Sequence, residues 1–502
     1  MSLGLRHMGP PCKFCCYHIF TPQSACFLLN SSATLLGKLN PCPEQALKPM
    51  GTDNNHARRN HQRPHFNLEV FQRFIHKAAS GSMPLFTAAV LAVIWANVSP
   101  YWYREFWNTP LYFGIGGWNI EKTALNWIND GFMALFFFTV GMEIKREFLV
   151  GELASLKMAL LPVTAALGGM LVPMLIYSLF NHGEPTFKGW GIPMATDIAF
   201  SLAVLSVFGK GIPVGLRIFL SALAIADDLG AVLVIALFYS SGISIMHLAA
   251  AVGLVACLYI ANRLWVRNIL VYIVLGIGIW LAVMGSGMHA TIAGAITAMF
   301  VPARGRYDTD MFTEDAKKML HRFECAETDC KESMMLDQEH LEAVLDIEMA
   351  CRKVETPIQR MEYNLHSWVA YLILPVFALA NTGLVIGEID FTAAFTQPVT
   401  IGIILGLVAG KPAGIFLFSF LSEKILKTPL PKDVGWKHMA GVSMLGGIGF
   451  TMSLFISGLA FTRPEFASYA KVGIICGSLI SAIAGFIVLK LVSKKPKAHG
   501  DG

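Results

Sequence analysis

Long apolar runs recur along most of this chain, many of them about 20 residues long and free of charge. A helix of that length spans about 30 Å, the thickness of bilayer hydrocarbon. Composition agrees with a bilayer as solvent. Of 502 residues, 54% are hydrophobic and only 15% charged, where a soluble domain carries roughly a quarter charged residues. Mean hydropathy is +0.54. Strands of a membrane barrel would show as short alternating segments, and the sequence has no such pattern. The expectation is an all-α membrane protein.

The runs predict about twelve transmembrane helices. Their limits are Leu85–Val98, Leu125–Glu143, Ala159–Phe180, Ile192–Phe208, Leu216–Tyr239, Ile245–Ala261, Ile269–Met284, Met288–Val301, Trp368–Ile386, Thr400–Phe420, Met439–Ala460 and Ala467–Val492. A basic amphipathic stretch, Asn67 to Ala79, reads as a surface helix before the first span. The aromatic and glycine-rich stretch Tyr101–Lys122 suggests a small β-hairpin outside the bilayer.

Five regions follow. Residues 1–66 are a disordered or mis-started N-terminal extension. Residues 67–303 hold the surface helix and spans one to eight. Residues 304–365 are a charged, helical cytoplasmic loop, residues 366–493 hold spans nine to twelve, and residues 494–502 are a basic tail. In the loop, Leu341, Val344, Leu345 and Ile347 suggest an amphipathic helix. Basic residues cluster on one side of the spans, for example Lys145 with Arg146, Arg263 with Arg267, and Lys494 with Lys495. The positive-inside rule puts both termini in the cytoplasm of a bacterial inner membrane.

Several classes are disfavoured. A net charge of +5 with basic residues beside spans does not make a nucleic-acid face. Ten cysteines, five of them before residue 43, read as reduced thiols rather than a disulfide framework. Cys12, Cys15 and Cys16, and separately His321, Cys325 and Cys330, are each too few for a zinc site. No nucleotide-binding loop or nucleophile elbow is visible, so neither a cofactor nor enzyme chemistry is expected.

Charges inside spans are costly and mark function by default. Asp227 and Asp228 fall at the middle of span five, Lys411 at the middle of span ten, and Asp197 within about a turn of the centre of span four. Adjacent aspartates project about 100° apart on a helix, so they face different neighbours. An Asp–Lys pair lowers the cost of burying both. Ile192-Pro193 with Thr196-Asp197 in span four, and Gly446-Gly447-Ile448-Gly449 in span eleven, mark two breakable helices. Broken helices expose N-terminal ends of partial positive charge and C-terminal ends of partial negative charge. Asp197 suits the first and Lys411 the second. Oxygen-rich carboxylates suit a hard cation, and a desolvated carboxyl beside a like charge takes protons more readily than one in water. A cation and protons competing for one site give exchange driven by an ion gradient.

At these residues the chain resembles the NhaA family of bacterial sodium/proton antiporters. The matching stretches include Phe136 to Glu147, Ala195-Thr196-Asp197-Ile198-Ala199-Phe200, Ala224 to Gly230, Gly287-Met288-His289-Ala290-Thr291, Gly410-Lys411-Pro412 and Gly447 to Ser453. The resemblance implies inverted repeats with two broken, crossed helices in spans four and eleven. It implies that Asp227 and Asp228 bind sodium or lithium and protons, with Asp228 the more direct ligand and Asp227 the partner of Lys411. Thr196 and Asp197 would line the crossing and assist binding. Electrogenic, alkaline-activated exchange follows, with a pH-response cluster of Glu143, Glu147, His289, Glu362 and His366. Expected partners are sodium, protons, the bilayer and, as an open option, a second copy in a homodimer. A rival reading is a sodium-coupled symporter of an organic anion. Another is a receptor or scaffold with structural charge pairs.

Overall fold

The computed structural model describes residues 68–115, 118–240, 242, 244–303, 309–323 and 338–493. The whole expected N-terminal extension, residues 1–66 with Cys12, Cys15 and Cys16, lies outside them, as do Cys325, Cys330 and the expected basic tail, residues 494–502. The helices, in chain order, are α1 Leu68–Val98, α2 Pro100–Asn108, α3 Ala124–Trp127, α4 Met133–Val150, α5 Leu156–Phe180, α6 Ile198–Ser206, α7 Val214–Phe238 and α8 Ile245–Arg263. They continue with α9 Ile269–Gly285, α10 Thr291–Phe300, α11 Thr309–Phe323, α12 Gln338–Val354, α13 Pro357–Trp368 and α14 Leu374–Asn381. The last six are α15 Phe391–Thr396, α16 Pro398–Leu405, α17 Lys411–Leu426, α18 Trp436–Gly446, α19 Phe450–Ala460 and α20 Pro464–Val492.

Among the described residues, seven helical segments are long and apolar enough to cross a membrane, and up to nine if each of two bent pairs counts as one span. Three expected spans fall outside that number for physical reasons. α4 carries Glu143, Lys145, Arg146 and Glu147, continuing past the expected end at Glu143. α9 and α10 are apolar but only 17 and 10 residues long.

Exposure is the reverse of a soluble protein's. Large apolar side chains face outward, as on α9, where Leu270, Ile273, Val274 and Ile277 form one exposed stripe. Hydroxyl and charged side chains such as Ser201, Ser453, Asp227 and Lys411 are buried. Water would favour the opposite arrangement, whereas hydrocarbon favours this one. The largest buried apolar cluster joins Phe137, Ile225, Phe377, Ile403, Phe455 and Ile474 from six helices. A second joins Leu205, Leu216, Leu223, Ile415, Val442 and Leu445. α5 and α17 approach closely through Gly168 and Gly414, where a Cβ on either would lie 2.3 or 2.1 Å from the other's carbonyl oxygen. Small residues of this kind let membrane helices pack backbone to backbone.

Three local expectations change. The surface helix and first span are one continuous α1, with Pro84 inside it. The stretch from Tyr101 opens as a helix, α2, bent 116° from the preceding segment. The hairpin follows, β1 Pro110–Ile115 pairing antiparallel with β2 Trp118–Thr123, Pro110 opposite Thr123. In the charged loop, α11 packs against α12, but Leu341 and Leu345 stay exposed while Ala343 and Ala350 are buried. Alanine lets the two helices approach closely, which branched leucines at those positions would prevent.

Candidate functional site

The site forms where two helical segments stop short. The first is a 3-10 segment, Pro185–Met194, followed by non-helical Ala195, Thr196 and Asp197 before α6 begins. The second is the gap Gly447–Gly449 between α18 and α19, which bend by 41°. Pro193 denies the first segment a backbone donor. The glycines act mainly by leaving room. Neither Gly447 nor Gly449 has positive φ, but a Cβ on Gly447 would lie 2.3 Å from the Leu407 carbonyl oxygen.

The two breaks touch, and each satisfies the other's loose backbone groups. The Asp197 N–H donates to the Ile448 carbonyl at 2.6 Å. The Ser201 hydroxyl donates to the Leu445 carbonyl at 2.9 Å, and the Ser453 hydroxyl to the Ile192 carbonyl at 2.7 Å. With no water in hydrocarbon, unsatisfied backbone groups at these breaks would cost several kcal/mol each.

Asp197 is 2% exposed and serves two helix starts. Its Oδ1 accepts from the Phe200 N–H at 3.2 Å, as the N-cap of α6. Its Oδ2 accepts from the Thr451 N–H at 3.0 Å and from the Thr451 hydroxyl, at the start of α19. One carboxylate thus faces the positive ends of two helices.

Lys411 is fully buried. A wide π-helical turn, Gly406–Gly410, immediately precedes it. Its Nζ reaches Asp227 Oδ2 at 2.6 Å and also donates to the Met194 carbonyl, at the C-terminal end of the 3-10 segment. The Thr196 hydroxyl donates to the same Asp227 Oδ2 at 2.6 Å and lies 3.0 Å from the Gly446 carbonyl. Asp227 Oδ2 is therefore doubly engaged. Asp227 Oδ1 and Asp228 Oδ1 are buried without a hydrogen-bond partner among the described residues. Unpaired buried carboxylate oxygens are expensive, and these two leave both aspartates with unused accepting capacity, as Glu143 Oε1 does farther along the bundle.

The residues expected to respond to pH split between two places. Arg146 on α4 pairs with Glu362 on α13 at 3.0 Å and with Glu147 at 3.3 Å. Glu143 lies within electrostatic reach of Arg146, Glu147 and Glu362, and is also close enough to influence Asp228. His366 follows Glu362 by four residues on α13. His289 does not join them. It sits before α10, bonded to the Tyr239 backbone and near Asp130 and Lys122. Asp130 precedes Glu143 by 13 residues, about 20 Å of helix, so His289 lies near the opposite end of α4.

Sequence reasoning assigned no role to Ser201, Thr451 or Ser453. Hydroxyl residues within a turn of two suspected breaks were the available signal, because such side chains repair broken backbone.

Comparisons with known proteins agree on one family. A family model described as Na+/H+ antiporter 1 matches residues 72–489. The "Na(+)/H(+) antiporter NhaA 2" of Syntrophotalea carbinolica is 46% identical over 436 residues, 86% of this chain and 99% of that protein. The "Na(+)/H(+) antiporter NhaA" of Acidithiobacillus ferrooxidans is 45% identical over 430 residues, 85% and 98% of the two chains. The protein of that name in Helicobacter pylori J99 is 43% identical, covering 85% and 96%. Together with the apolar helices, these relatives mark a multi-pass membrane protein. The chain belongs to the Na+/H+ antiporter 1 family.

Proposed function

We propose that this chain is an electrogenic sodium (or lithium)/proton antiporter of the bacterial inner membrane, extruding sodium in exchange for protons under pH control. The observation that carries the reading is the asymmetry of the aspartates. Asp227 is held by Lys411 and Thr196, while Asp228 beside it has a buried oxygen free. Asp228 then takes sodium or a proton, never both, which makes the two cargoes exchange. Asp227 contributes its second oxygen, and Lys411 compensates its charge when no cation is bound. Thr196 orients Asp227, and Asp197 holds the helix starts together. Two protonatable carboxylates set against one monovalent cation give an exchange that carries net charge.

In this reading the chain crosses the membrane twelve times. The spans containing Asp197 and Gly447 are crossed broken helices of two inverted repeats. The basic side, with both termini and the loop of residues 304–365, faces the cytoplasm. Glu143, Glu147, Glu362 and His366 respond to cytoplasmic pH near Arg146, and His289 to pH on the other side.

The test is purified protein in liposomes with an acidic lumen. Radioactive sodium should accumulate as protons leave. Its initial rate should respond to an imposed potassium diffusion potential. Sodium uptake that needs an added organic anion would favour the symporter, and no proton-coupled uptake would overturn the proposal.

A further inference from the structure

The last carbonyls of a helix have no partner within it. At the end of α10 that leads into the charged loop, side chains from two other helices supply the partners. Lys145 Nζ on α4 donates to the Met299 carbonyl at 2.7 Å and to the Val301 carbonyl at 2.6 Å. The Asn262 amide on α8 donates to the Phe300 carbonyl between them. An ammonium there also meets the partial negative charge of a helix C-terminus. The next carbonyl, Pro302, accepts the Ile358 N–H at 3.3 Å, at the start of α13. The chain therefore leaves for the charged loop and returns from it at one place.

The same helices share an apolar core. Phe138 and Met142 of α4, Ala298 of α10 with Val301 just past it, and Ile358 and Met361 of α13 form one buried cluster. Lys145 and Arg146 are adjacent on α4. The first grips the end of α10, and the second pairs with Glu362 on α13 at 3.0 Å. These contacts close a ring. It runs from Lys145 to Val301, from Pro302 to Ile358, along one turn of α13 to Glu362, and back to Arg146. Without Lys145, α10 and α13 keep each other but lose this hold on α4, and the Arg146–Glu362 pair loosens.

Charged groups reach Glu362 from one neighbouring helix, since Arg146, Glu147 and Glu143 all lie on α4. The sequences of α10 and of the wide turn Val369–Ile373 after α13 contain none. On α13 itself, Arg360 lies 3.9 Å from Glu355, and His366 is one turn beyond Glu362. An adjacent guanidinium favours the ionised carboxylate. Loosening the pair therefore moves ionisation of Glu362 to higher pH, by at most about 0.7 unit for a partly exposed ion pair.

We propose that Lys145 is a positioning residue for pH control: by holding the end of α10 it keeps α13 against α4, and so keeps Glu362 paired with Arg146. The proposal rests on the antiport reading and on the pH-responsive role given there to Glu362. Lys145 touches neither cargo.

Sodium-driven proton release from everted membrane vesicles, measured at a series of pH values and equal protein amounts, tests it. Lys145→Met should move the pH of half-maximal exchange upward by about 0.3–0.7 unit, with the maximal rate within about twofold. Lys145→Arg, which keeps both charge and donors, should leave the profile in place. Lys145→Gln keeps a donor without the charge and should shift less than methionine; it carries the test if the methionine variant fails to reach the membrane. Glu362→Gln should hide the effect, so that the double variant with Lys145→Met has the profile of Glu362→Gln alone. A shift that adds to that of Glu362→Gln, an unmoved or acid-shifted profile, or a lower rate at every pH would overturn the proposal. Equal shifts by methionine and glutamine would also overturn it, because charge alone would then be acting. A Glu362→Gln profile matching the unaltered chain would instead overturn the role of Glu362, and absence of sodium exchange in the unaltered chain would overturn the antiport reading.

Discussion

Replacing Lys411 with methionine should destabilise the protein far more than replacing Lys411 and Asp227 together. The pair lies at 2.6 Å with side chains 1% and 2% exposed. Removing the lysine leaves Asp227 as a buried carboxylate with only Thr196 donating to it. Breaking one side of such a pair costs about 3–5 kcal/mol. Asp227→Asn alone leaves the ammonium with the Met194 carbonyl as its remaining partner, at a similar cost. The double variant, Lys411→Met with Asp227→Asn, removes both charges, and uncharged replacements of similar volume are often near neutral. The asparagine can still accept from Thr196. The coupling energy of the cycle should therefore exceed about 2 kcal/mol. Equilibrium unfolding of the four proteins in mixed micelles, titrated with sodium dodecyl sulfate and followed by helicity, measures it. A double variant as unstable as the sum of its singles would show that the two charges do not support each other.

Asp197→Ala should cost about 1–3 kcal/mol in the same assay, because two helix starts lose their acceptor; Asp197→Asn, which keeps one oxygen, should cost less. Gly168→Ala should cut the amount of folded protein sharply, since its Cβ would sit 2.3 Å from the Gly414 carbonyl; near-normal yield would refute the close approach of α5 and α17. In the charged loop, Ala343→Leu should destabilise by about 1–3 kcal/mol through overpacking. Leu345→Gln, at a side chain 46% exposed, should change stability by less than about 0.5 kcal/mol.

The helices were legible because hydrocarbon imposes a simple rule, a long apolar run closed on its own backbone bonds. Span seven, read as Ile269–Met284, appears as Ile269–Gly285. α4 was misjudged because its charges were taken to end it. Lys145 instead donates to the Met299 and Val301 carbonyls at 2.7 and 2.6 Å, which lets the helix run on. That compensation is tertiary and leaves no local trace. At the site, depth along each span drew Asp227, Asp228 and Lys411 together, and the 100° offset separated the two aspartates. Which hydroxyl would repair which carbonyl was not legible, because Ser201 to Leu445 and Ser453 to Ile192 join positions more than 240 residues apart.

The central claim is that Asp228 carries the exchanged ion. Everted membrane vesicles that respire to acidify their lumen, with a pH-sensitive dye, test it most directly. Adding sodium or lithium should collapse the proton gradient in vesicles with the unaltered chain. Vesicles with equal amounts of Asp228→Asn should show no collapse. Full sodium-driven collapse by Asp228→Asn would contradict the account.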